Sequence, residues 1–375
     1  MQKPIKLLLK NLICLAIVFF TVAFLIPKNE VSASEYLLKI EAGGKEYLFT
    51  KDEIAFYNGK YYLKDAINVV DKIYLDTIVR EKDATCTFNF TLKEPFSFEK
   101  ERMGLELDKD KLLKDISDAL NSNKKVVKGT YSAIKPKISL ENVKEETFLR
   151  GRFTTYYSCS EDGRKHNISL STSKISNLAL KDGEEFSFNK IVGERSEVNG
   201  FKTSKVIVGG EYAEGVGGGV CQTSTTLYNC ALISGLKITE QHPHSLNVGY
   251  IEPSFDAMVN SFTSDLKFVN NTGGTIYIGG IADGERVTFS IYGKKLDSTF
   301  ERVYKITSEI ECNEYIYEDD YFLKQGQKTY VRKPKNGFTS EGYLIEYLNG
   351  VQVKCVKLRS DKYNSLKGII KVGKG

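Results

Sequence analysis

Apolar and polar positions alternate over short runs in most of the chain, a pattern typical of half-buried β-strands. Two such runs lie between residues 35 and 62, and Asn58-Gly59 between them predicts a tight hairpin turn. Residues 66–74 instead predict a short helix. A longer amphipathic helix is predicted over residues 108–120, with Asp108 as its N-cap. Its apolar face comprises Leu112, Leu113, Ile116, Ala119 and Leu120.

The rest of the chain predicts further strands separated by polar turns. They are expected at residues 85–92, from residue 95 onward, and at 153–157, 185–189, 205–208, 247–251, 266–269, 275–281 and 286–292. A helix is predicted from His166 to near Leu180, ended by Asp182-Gly183. Beyond residue 298 we expect short strands, with turns at Gly326, Asn336-Gly337, Asn349-Gly350 and Lys367-Gly368.

One apolar run differs from the others because lysines precede it. Residues 12–26 are apolar except for one threonine, and Lys3, Lys6 and Lys10 lie on their N-terminal side. A run of about 15 residues is short for a membrane span but typical of a signal peptide, and small residues at 31–34 fit a cleavage site. Counted back to Leu7, the segment is long enough for a tilted membrane anchor. Either way, the lysines stay in the cytoplasm and the rest of the chain is expected outside the cytoplasmic membrane.

These elements predict an α+β fold with three folded parts after a targeting segment. We expect a signal peptide or membrane anchor at residues 1–34 and a small α+β module at 35–148. A β-rich α+β domain is expected at 149–297, followed by a short β module at 298–375.

Composition narrows the functional classes. The chain of 375 residues has a formal net charge of +5 without a basic run, so nucleic acid is not an expected partner. Its seven cysteines are scattered and show no metal-binding spacing, so we expect no metal or other cofactor. Outside the membrane, an even number of cysteines usually indicates disulfides. The scatter of the six that follow the targeting segment instead predicts mostly free thiols, in a reducing or anaerobic setting.

The strongest chemical signal is a run of three glycines and a valine that leads into Cys221 and a predicted helix. Apolar spacing through Leu227 and Ala231 supports that helix, with Gly235 as its C-cap. The glycines leave the first N–H groups unobstructed, and the helix dipole favours a thiolate at Cys221. The alternative is a tight turn followed by a buried, inert cysteine. Cys230, nine positions later, is expected on the opposite face of the helix, in the core.

Two of the three histidines, His242 and His244, bracket Pro243 a short helix after Cys221. Such a pair near a cysteine in a glycine turn is typical of a base beside a nucleophile. The third, His166, is expected to orient its own helix or loop.

Several blocks of residues carry a resemblance to a known family. They are Phe186-Ser187-Phe188-Asn189, Val192-Gly193-Glu194-Arg195, Gly217-Gly218-Gly219-Val220-Cys221-Gln222, Ser224-Thr225-Thr226-Leu227-Tyr228-Asn229, His242-Pro243-His244-Ser245 and Asp265-Leu266-Lys267-Phe268-Val269-Asn270-Asn271-Thr272. With them, residues 152–293 resemble the VanW domain, named from vancomycin-resistance clusters and found in Gram-positive cell-envelope proteins. Where members usually show Pro-Gly-Arg-Asp, this chain has Pro253-Ser254-Phe255-Asp256, so that arginine is absent.

Clostridial members of this family act as L,D-transpeptidases through the domain's cysteine, so the resemblance implies peptidoglycan cross-linking. Cys221 would attack the carbonyl of the third residue of a stem peptide and release the terminal D-alanine. His244 or His242 would take the thiol proton, and Asp256 would orient the histidine.

The remaining expected site residues are contacts to the oxyanion or the substrate. They are Gly219, Gln222, Arg195 and Tyr228, with the N–H groups of Cys221 and Gln222 forming the oxyanion hole. For Arg195, pairing with the carboxylates of a stem peptide and a structural salt bridge are equally open.

Both flanking regions also resemble modules of such proteins. Residues 35–148 resemble the peptidoglycan-binding module that often precedes a VanW domain, or they act as a spacer. Residues 298–375 resemble the small glycine-containing β module that follows many VanW domains and is thought to bind wall sugars, or they extend and cap the preceding domain. The implied partners are the stem peptides and glycan of peptidoglycan, and the cytoplasmic membrane through residues 1–34. Two alternatives stay open: a non-catalytic peptidoglycan-binding envelope protein, and a cysteine hydrolase of stem peptides.

Overall fold

A computed structural model describes residues 37–208 and 210–375 of the chain. Its helices are α1 (Ala66–Thr77), α2 (Lys109–Asn121), α3 (Leu140–Lys144), α4 (Asp162–Ile175), α5 (Phe188–Val192) and α6 (Val220–Ile233). The strands before α4 are β1 (Leu38–Ala42), β2 (Lys45–Phe49), β3 (Ile54–Tyr57), β4 (Lys60–Leu63), β5 (Thr85–Phe88), β6 (Phe96–Glu99), β7 (Gly104–Leu107), β8 (Val126–Lys128), β9 (Tyr131–Ile134) and β10 (Phe148–Tyr156).

Strands predominate in the second half of the chain as well. They are β11 (Leu178–Leu180), β12 (Glu185–Ser187), β13 (Thr203–Val208), β14 (Glu211–Val216), β15 (Lys237–Glu240), β16 (Lys267–Val269), β17 (Ile276–Ala282), β18 (Arg286–Gly293), β19 (Ser298–Ile310), β20 (Tyr315–Asp320), β21 (Lys328–Arg332), β22 (Gly337–Leu348), β23 (Val351–Tyr363) and β24 (Gly368–Gly373). The chain is therefore β-rich with few helices, which confirms that part of the predicted fold class.

The described residues divide into two compact units. The first comprises residues 37–80 and 105–134, and the second comprises residues 81–104, 135–208 and 210–375. The boundaries predicted after residues 34, 148 and 297 stay predictions. The targeting segment predicted at 1–34 lies outside the described residues, and no helix within them is long and apolar enough to cross a membrane.

In the first unit, α1 and α2 share a core with a sheet of order β2-β1-β8. The predicted α2 is confirmed, including its cap: Asp108 accepts a hydrogen bond from the N–H of Lys111 at 2.9 Å. The predicted hairpin also forms between β3 and β4. Asn58 and Gly59 have φ angles of 47° and 74°, which a two-residue turn of this kind requires.

The second unit is built on an antiparallel sheet of order β10-β18-β17-β11. Helices α4 and α6 pack against this sheet and against each other. Since α6 is buried on nearly all sides, its hydroxyl groups find partners inside the protein. Thr226 bonds to Thr155 of β10 at 2.7 Å, and Thr223 bonds to Ser171 of α4 at 2.8 Å. These contacts fix the first turns of α6 in place.

The hairpin of β13 and β14 leads through the three glycines directly into α6. At the other end, Gly235 has a φ of 73° and the N–H of Leu236 bonds to the carbonyl of Ala231 at 3.1 Å. This is the hydrogen bond of a glycine C-cap. The helix predicted after the glycine run is therefore confirmed, and so is its end.

Strands β19, β22 and β23 form an antiparallel sheet of the C-terminal region. Strands β20, β24 and β21 form a mixed sheet, in which β20 is parallel to β24 and β21 is antiparallel to it. The prediction of short strands here is wrong for the first sheet, whose strands have 12 or 13 residues. Asn349-Gly350 forms the predicted turn, but Gly337 and Gly368 begin strands. At Gly337, a Cβ would lie 2.5 Å from the carbonyl oxygen of Tyr363, so this glycine serves close backbone contact.

The helix predicted to continue to Leu180 is shorter than expected. It ends at Ile175, and Asn177 takes a φ of 66°, which ends helical propagation. Residues 178–180 form β11, which pairs with β17. The apolar residues there belong to a sheet, although their spacing also fits the helical period and was interpreted as helix.

Two predicted strands also differ from the structure. The strand expected at 185–189 ends at Ser187, whose hydroxyl caps α5 by accepting from the N–H of Lys190 at 3.1 Å. The strand expected at 247–251 is a loop. Buried Val248 in this segment, like Leu246 just before it, packs without a partner strand.

Candidate active site

The glycine run before α6 is required by the backbone around it. Gly217 and Gly219 have φ angles of 90° and 102°, which favour glycine. A Cβ on Gly218 would lie 2.5 Å from the carbonyl oxygen of Lys205, and one on Gly219 would lie 3.0 Å from that of Arg164. The turn therefore lies directly against β13 and α4, and this contact sets where α6 begins.

Cys221 lies in the first turn of α6, at the positive end of the helix dipole. Its side chain is partly buried, and the thiol donates a hydrogen bond to the carbonyl of Val259 at 3.3 Å. His244 lines the same cavity as Cys221 and is close enough to influence the ionisation of its thiol. Cys221 and one of the two bracketing histidines are thus brought to the same cavity.

His244 is held by Asp256 at two points. Its Nδ1 lies 2.7 Å from Oδ2 of Asp256, and its backbone N–H donates to the same oxygen at 2.6 Å. Because Nδ1 faces the carboxylate, Nε2 is the ring nitrogen left for chemistry. Both side chains are buried, so the orientation of the ring is fixed.

Asp256 is itself clamped by strand β23. Its Oδ1 accepts hydrogen bonds from the guanidinium of Arg359 and, at 2.6 Å, from the hydroxyl of Tyr363. Arg359 also donates to the backbone carbonyl of Asp256 at 2.8 Å and forms an ion pair with Asp361 at 2.6 Å. Residues 359, 361 and 363 share one face of β23, as the period of two in a strand requires.

The charges in this row of side chains are coupled. Burial works against an ionised Cys221, but the hydrogen bond and charge of His244 outweigh it and hold the pKa of the thiol below its ordinary 9.0. Burial likewise works against an imidazolium, but Asp256 and Cys221 raise the pKa of His244 to about 9. Asp256 keeps a pKa of about 2 because His244 and Arg359 offset its burial. His244 therefore favours the thiolate form of Cys221, while Asp256 and Cys221 favour the imidazolium form of His244.

The expected oxyanion hole is only partly available. The N–H of Gln222 already donates to the carbonyl of Gly219 at 2.9 Å, so it does not point freely at a ligand. The N–H of Cys221 has no acceptor among the described residues. The side chain of Gln222 is buried, donates to Thr155 at 2.9 Å and accepts from Arg164 at 2.6 Å. Gln222 therefore lines the cavity, but its side-chain amide is already engaged by these neighbours.

Cys221 and His244 open onto a cavity of about 1140 Å³. Arg195 and Gly219, both expected substrate contacts, line it as well. Arg195 donates to Oδ1 of Asn189 at 2.6 Å, and its guanidinium lies 5.5 Å from the ring centre of Phe188. No carboxylate lies within ion-pair distance of Arg195 among the described residues, so the structural salt bridge weighed for it is not formed.

Besides Asp256, three residues singled out in the sequence lie outside the cavity lining. Tyr228 is 1% exposed and lies in the core cluster of the second unit, where burial raises its pKa to about 12. His242 lies in the loop beside Glu240, with 3.0 Å between Nε2 and the carboxylate. His166 bonds to the carbonyl of Gly200 at 2.8 Å and so ties α4 to the following loop, in line with its expected role.

All six cysteines within the described residues are free, as expected for most of them. Cys230 is fully buried on α6, and burial raises its pKa to about 12, which fits the predicted core position. No group of three or more His, Cys, Asp or Glu side chains able to hold a metal ion occurs in the part of the chain that the structure describes.

Phe255 occupies the position where VanW domains usually have an arginine. It is 1% exposed, and the guanidinium of Arg302 lies 4.7 Å from its ring centre. Arg302 also donates to Oδ1 of Asn229 on α6 at 2.7 Å. A cation from β19 thus reaches the place where the local sequence lacks one.

Sequence reasoning missed Arg164, Arg359 and Tyr363. Arg164 lies two residues before His166 in a helix whose pattern carried no chemical signal. Arg359 and Tyr363 lie in a region interpreted as a wall-binding or capping module. The one available signal was the alternation of Arg359, Asp361 and Tyr363, which places three polar groups on one strand face.

Two family models match the chain. Residues 163–292 match the model described as VanW like protein, and residues 40–128 match the model described as Putative peptidoglycan binding domain. The resemblances drawn from the motifs are thereby confirmed over these residues. The chain carries a VanW-like domain, preceded by a region similar to that second family.

Two curated relatives are similar to part of the chain. Uncharacterized protein YoaR of Bacillus subtilis (strain 168) is 36% identical over 179 residues, which are 47% of this chain and 59% of the relative. Vancomycin B-type resistance protein VanW of Enterococcus faecalis (strain ATCC 700802 / V583) is 26% identical over 154 residues, which are 40% of this chain and 54% of the relative. This chain therefore spans somewhat more than half the length of each relative.

Among solved structures, the IgA1 Protease G5 domain structure aligns with 20% of this chain and 88% of its own. The two share 16% identity, and the TM-score is 0.15. That score is too low to support an argument about the fold.

Proposed function

We propose that the chain is a cysteine-dependent L,D-transpeptidase that forms peptidoglycan cross-links outside the cytoplasmic membrane. The observation that carries this proposal is that Cys221 and His244 line one cavity while the buried Asp256 holds His244 through its Nδ1. A nucleophile, a base and a group that orients the base are what acyl transfer through a thioester needs. The VanW-like domain and the region similar to a peptidoglycan-binding family support a substrate in the cell wall.

In the first half-reaction, the Cys221 thiolate attacks the carbonyl carbon of the third stem residue. The carbonyl oxygen becomes an oxyanion, and the N–H of Cys221 is placed to donate to it. The tetrahedral adduct collapses to a thioester when the bond to the D-alanine nitrogen breaks. The His244 imidazolium gives its proton to that nitrogen, so D-alanine leaves as a neutral amine and His244 becomes neutral.

In the second half-reaction, a side-chain amine of another stem attacks the thioester. Neutral His244 takes a proton from this amine as the new C–N bond forms. The C–S bond breaks, and the thiolate and imidazolium are restored together. One amide replaces another, so no oxidant, metal or nucleotide is required. Water in place of the amine would give a tripeptide by hydrolysis.

Incubation of the purified protein with a disaccharide-tetrapeptide, followed by mass spectrometry, tests the proposal. A cross-linked dimer that lacks one D-alanine is expected. A tripeptide alone would indicate a hydrolase, and unchanged substrate with retention on wall sacculi would indicate a binding protein; either result would overturn the transpeptidase assignment. The test includes Cys221→Ala, which should form no product. Cys355→Ala is its matched control and should stay active, because Cys355 is an exposed free cysteine on β23 outside the cavity lining.

A further inference from the structure

Two arginines line the cavity around Cys221 without a carboxylate partner. Arg164 reaches it from α4 and Arg195 from the loop after α5. Their acceptors are neutral: Ser160 and Gln222 for Arg164, and Asn189 for Arg195. Neither guanidinium has a carboxylate within 4.0 Å among residues 37–208 and 210–375.

Other buried arginines near the site show the opposite arrangement. Arg359 pairs with Asp256 and Asp361, and Arg302 with Glu252. A cation taken out of water is stable when an opposite charge or several hydrogen bonds compensate for the lost hydration. Arg164 and Arg195 lack a negatively charged partner, so an anionic ligand could supply one.

The position of both arginines relative to the sulfur is set by the glycine turn. The stem of Arg195 packs against Gly217, where a Cβ would lie 2.9 Å from Cβ of the arginine. The stem of Arg164 packs against Gly219, where a Cβ would lie 2.8 Å from its Cγ. Burial lowers the pKa of both arginines, and a negative charge on Cys221 opposes that change in each. Both cations are thus near the reacting sulfur.

Each guanidinium is oriented yet keeps donors free. Arg164 uses one N–H on Ser160 and one on Gln222, and its cation lies 5.9 Å from the ring centre of Tyr250. Arg195 uses one N–H on Asn189 while it lies over Phe188. A guanidinium has five N–H donors in a planar fork that matches a carboxylate. Ordering such a group beforehand reduces the entropy lost on binding.

We infer that Arg164 and Arg195 form two carboxylate subsites, so that the acyl donor is a stem peptide with two free carboxylates. One is the terminal carboxylate of the released residue, and the other lies on the acyl part of the donor. This inference rests on the proposed function for the identity of the peptide. A donor whose third residue is a diamino dicarboxylic acid meets the requirement, whereas one that is amidated throughout does not.

Binding to a Cys221→Ala background tests the inference without turnover. The probes are one tetrapeptide with a diamino dicarboxylic third residue and three analogues, amidated at the C-terminus, at the third side chain or at the second residue. Calorimetry should show that the terminal amide and one of the other two amides each bind about tenfold more weakly, as expected for loss of a charge-assisted pair.

Arginine variants then assign the subsites. Arg164→Gln and Arg195→Gln, each added to Cys221→Ala, should each abolish the effect of a different amidation, while Arg→Lys at either site should retain part of it. Arg286→Gln, at an exposed arginine paired with Asp283, is the matched control and should behave as the parent. Thermal melting identifies variants that fail to fold. If a glutamine variant fails to fold, the binding of the lysine variant at the same position is compared instead.

Equal affinity for acid and amide peptides, or identical behaviour of both arginine variants, would overturn the two subsites. That result is compatible with intact cross-linking by the wild-type protein. Conversely, absence of cross-linked product with carboxylate-dependent binding intact would count against the transpeptidase alone.

Discussion

The two sides of the candidate site are held in different ways. The Cys221 side is local: three glycines, the start of α6 and the packing of that helix on the sheet fix the thiol. The Asp256 side is assembled from distant residues, because its carboxylate is clamped by Arg359 and Tyr363, 103 and 107 positions later. His244 lies between them, because it bonds to Asp256 and lines the same cavity as Cys221.

This difference changes the interpretation of the C-terminal strands. A region interpreted as a sugar-binding or capping module supplies the groups that keep Asp256 ionised and His244 oriented. Its contribution to the proposed reaction is therefore to position a catalytic pair. Perturbing each side separately should give effects of very different size.

The largest effect is expected at the local side. Cys221→Ala should reduce cross-linking to background while the melting temperature stays near that of the wild type, since the thiol is partly exposed and bonds weakly to one carbonyl. Cys221→Ser should be nearly as inactive, because a hydroxyl is a far weaker acid than a thiol and gains little from the helix dipole. Product analysis by mass spectrometry measures both.

A labelling experiment provides the control for reactivity. Limiting iodoacetamide at mildly acidic pH should modify Cys221 before the exposed Cys159 and Cys355, because a lowered pKa leaves more thiolate there. Labelling of Cys355 first would contradict the thiolate assignment even if Cys221→Ala were inactive.

The next effect in size is expected at the residue that joins the two sides. His244→Ala should lower kcat by about 10²–10⁴-fold, the usual contribution of a positioned acid or base. It should also slow alkylation of Cys221 at acidic pH, because the hydrogen bond and charge that lower the thiol pKa are removed. A variant that loses rate but keeps fast alkylation would show that His244 does not stabilise the thiolate.

The pH profile of the wild type tests the same pair with an effect of about tenfold per pH unit on each limb. Activity should rise from low pH as Cys221 ionises below its ordinary 9.0, and fall as His244 deprotonates near pH 9. The two apparent pKa values belong to the pair as a whole.

Stability should also depend on pH. The stability contributed by His244 should be fully present below pH 6.5, its ordinary pKa, and be lost as pH rises through about 9. That from Asp256 should be present above 3.8 and be lost as pH falls toward 2.

The local side of the site could be predicted from sequence because its causes are local. Gly217 to Gly219 take backbone conformations and close contacts that only glycine allows, and Cys221 follows directly. Asp256 was expected to orient one of the two histidines, and it lies 2.7 Å from Nδ1 of His244. A helix and a turn leave short-range patterns, and these patterns were sufficient here.

The distant side could not be predicted for the opposite reason. Arg359 and Tyr363 meet Asp256 only because β23 pairs with β22, and no local pattern encodes which strands meet. The same limit explains the error at 178–180, where apolar residues join β17 although the local spacing favoured a helix. Tertiary pairing decides such segments.

A smaller effect is expected on the distant side. Tyr363→Phe removes one of the donors to Asp256 but leaves Arg359, so kcat should fall by about tenfold with KM little changed. It also leaves the N–H of Ser254 without its acceptor, a loss of about 1–3 kcal/mol in the free energy of unfolding. Denaturant unfolding and steady-state kinetics measure the two. A stability loss with unchanged kcat would reduce Tyr363 to a structural role.

The smallest effect is expected at His242, the histidine that lies outside the cavity lining. Its Nε2 contacts the carboxylate of Glu240. Without the imidazole ring, Glu240 would still pair with Lys267 at 2.8 Å and accept from the N–H of Asp265 at 3.0 Å. The contact of this residue with the loop near Asp256 is made by its backbone carbonyl, which accepts from Met258 at 2.8 Å and survives a side-chain change. His242→Ala should therefore stay within about twofold of wild-type kcat/KM, because a partly exposed contact with one carboxylate contributes little. A loss as large as that of His244→Ala would mean that His242 enters the cavity during the reaction, and the assignment of the base to His244 alone would be wrong.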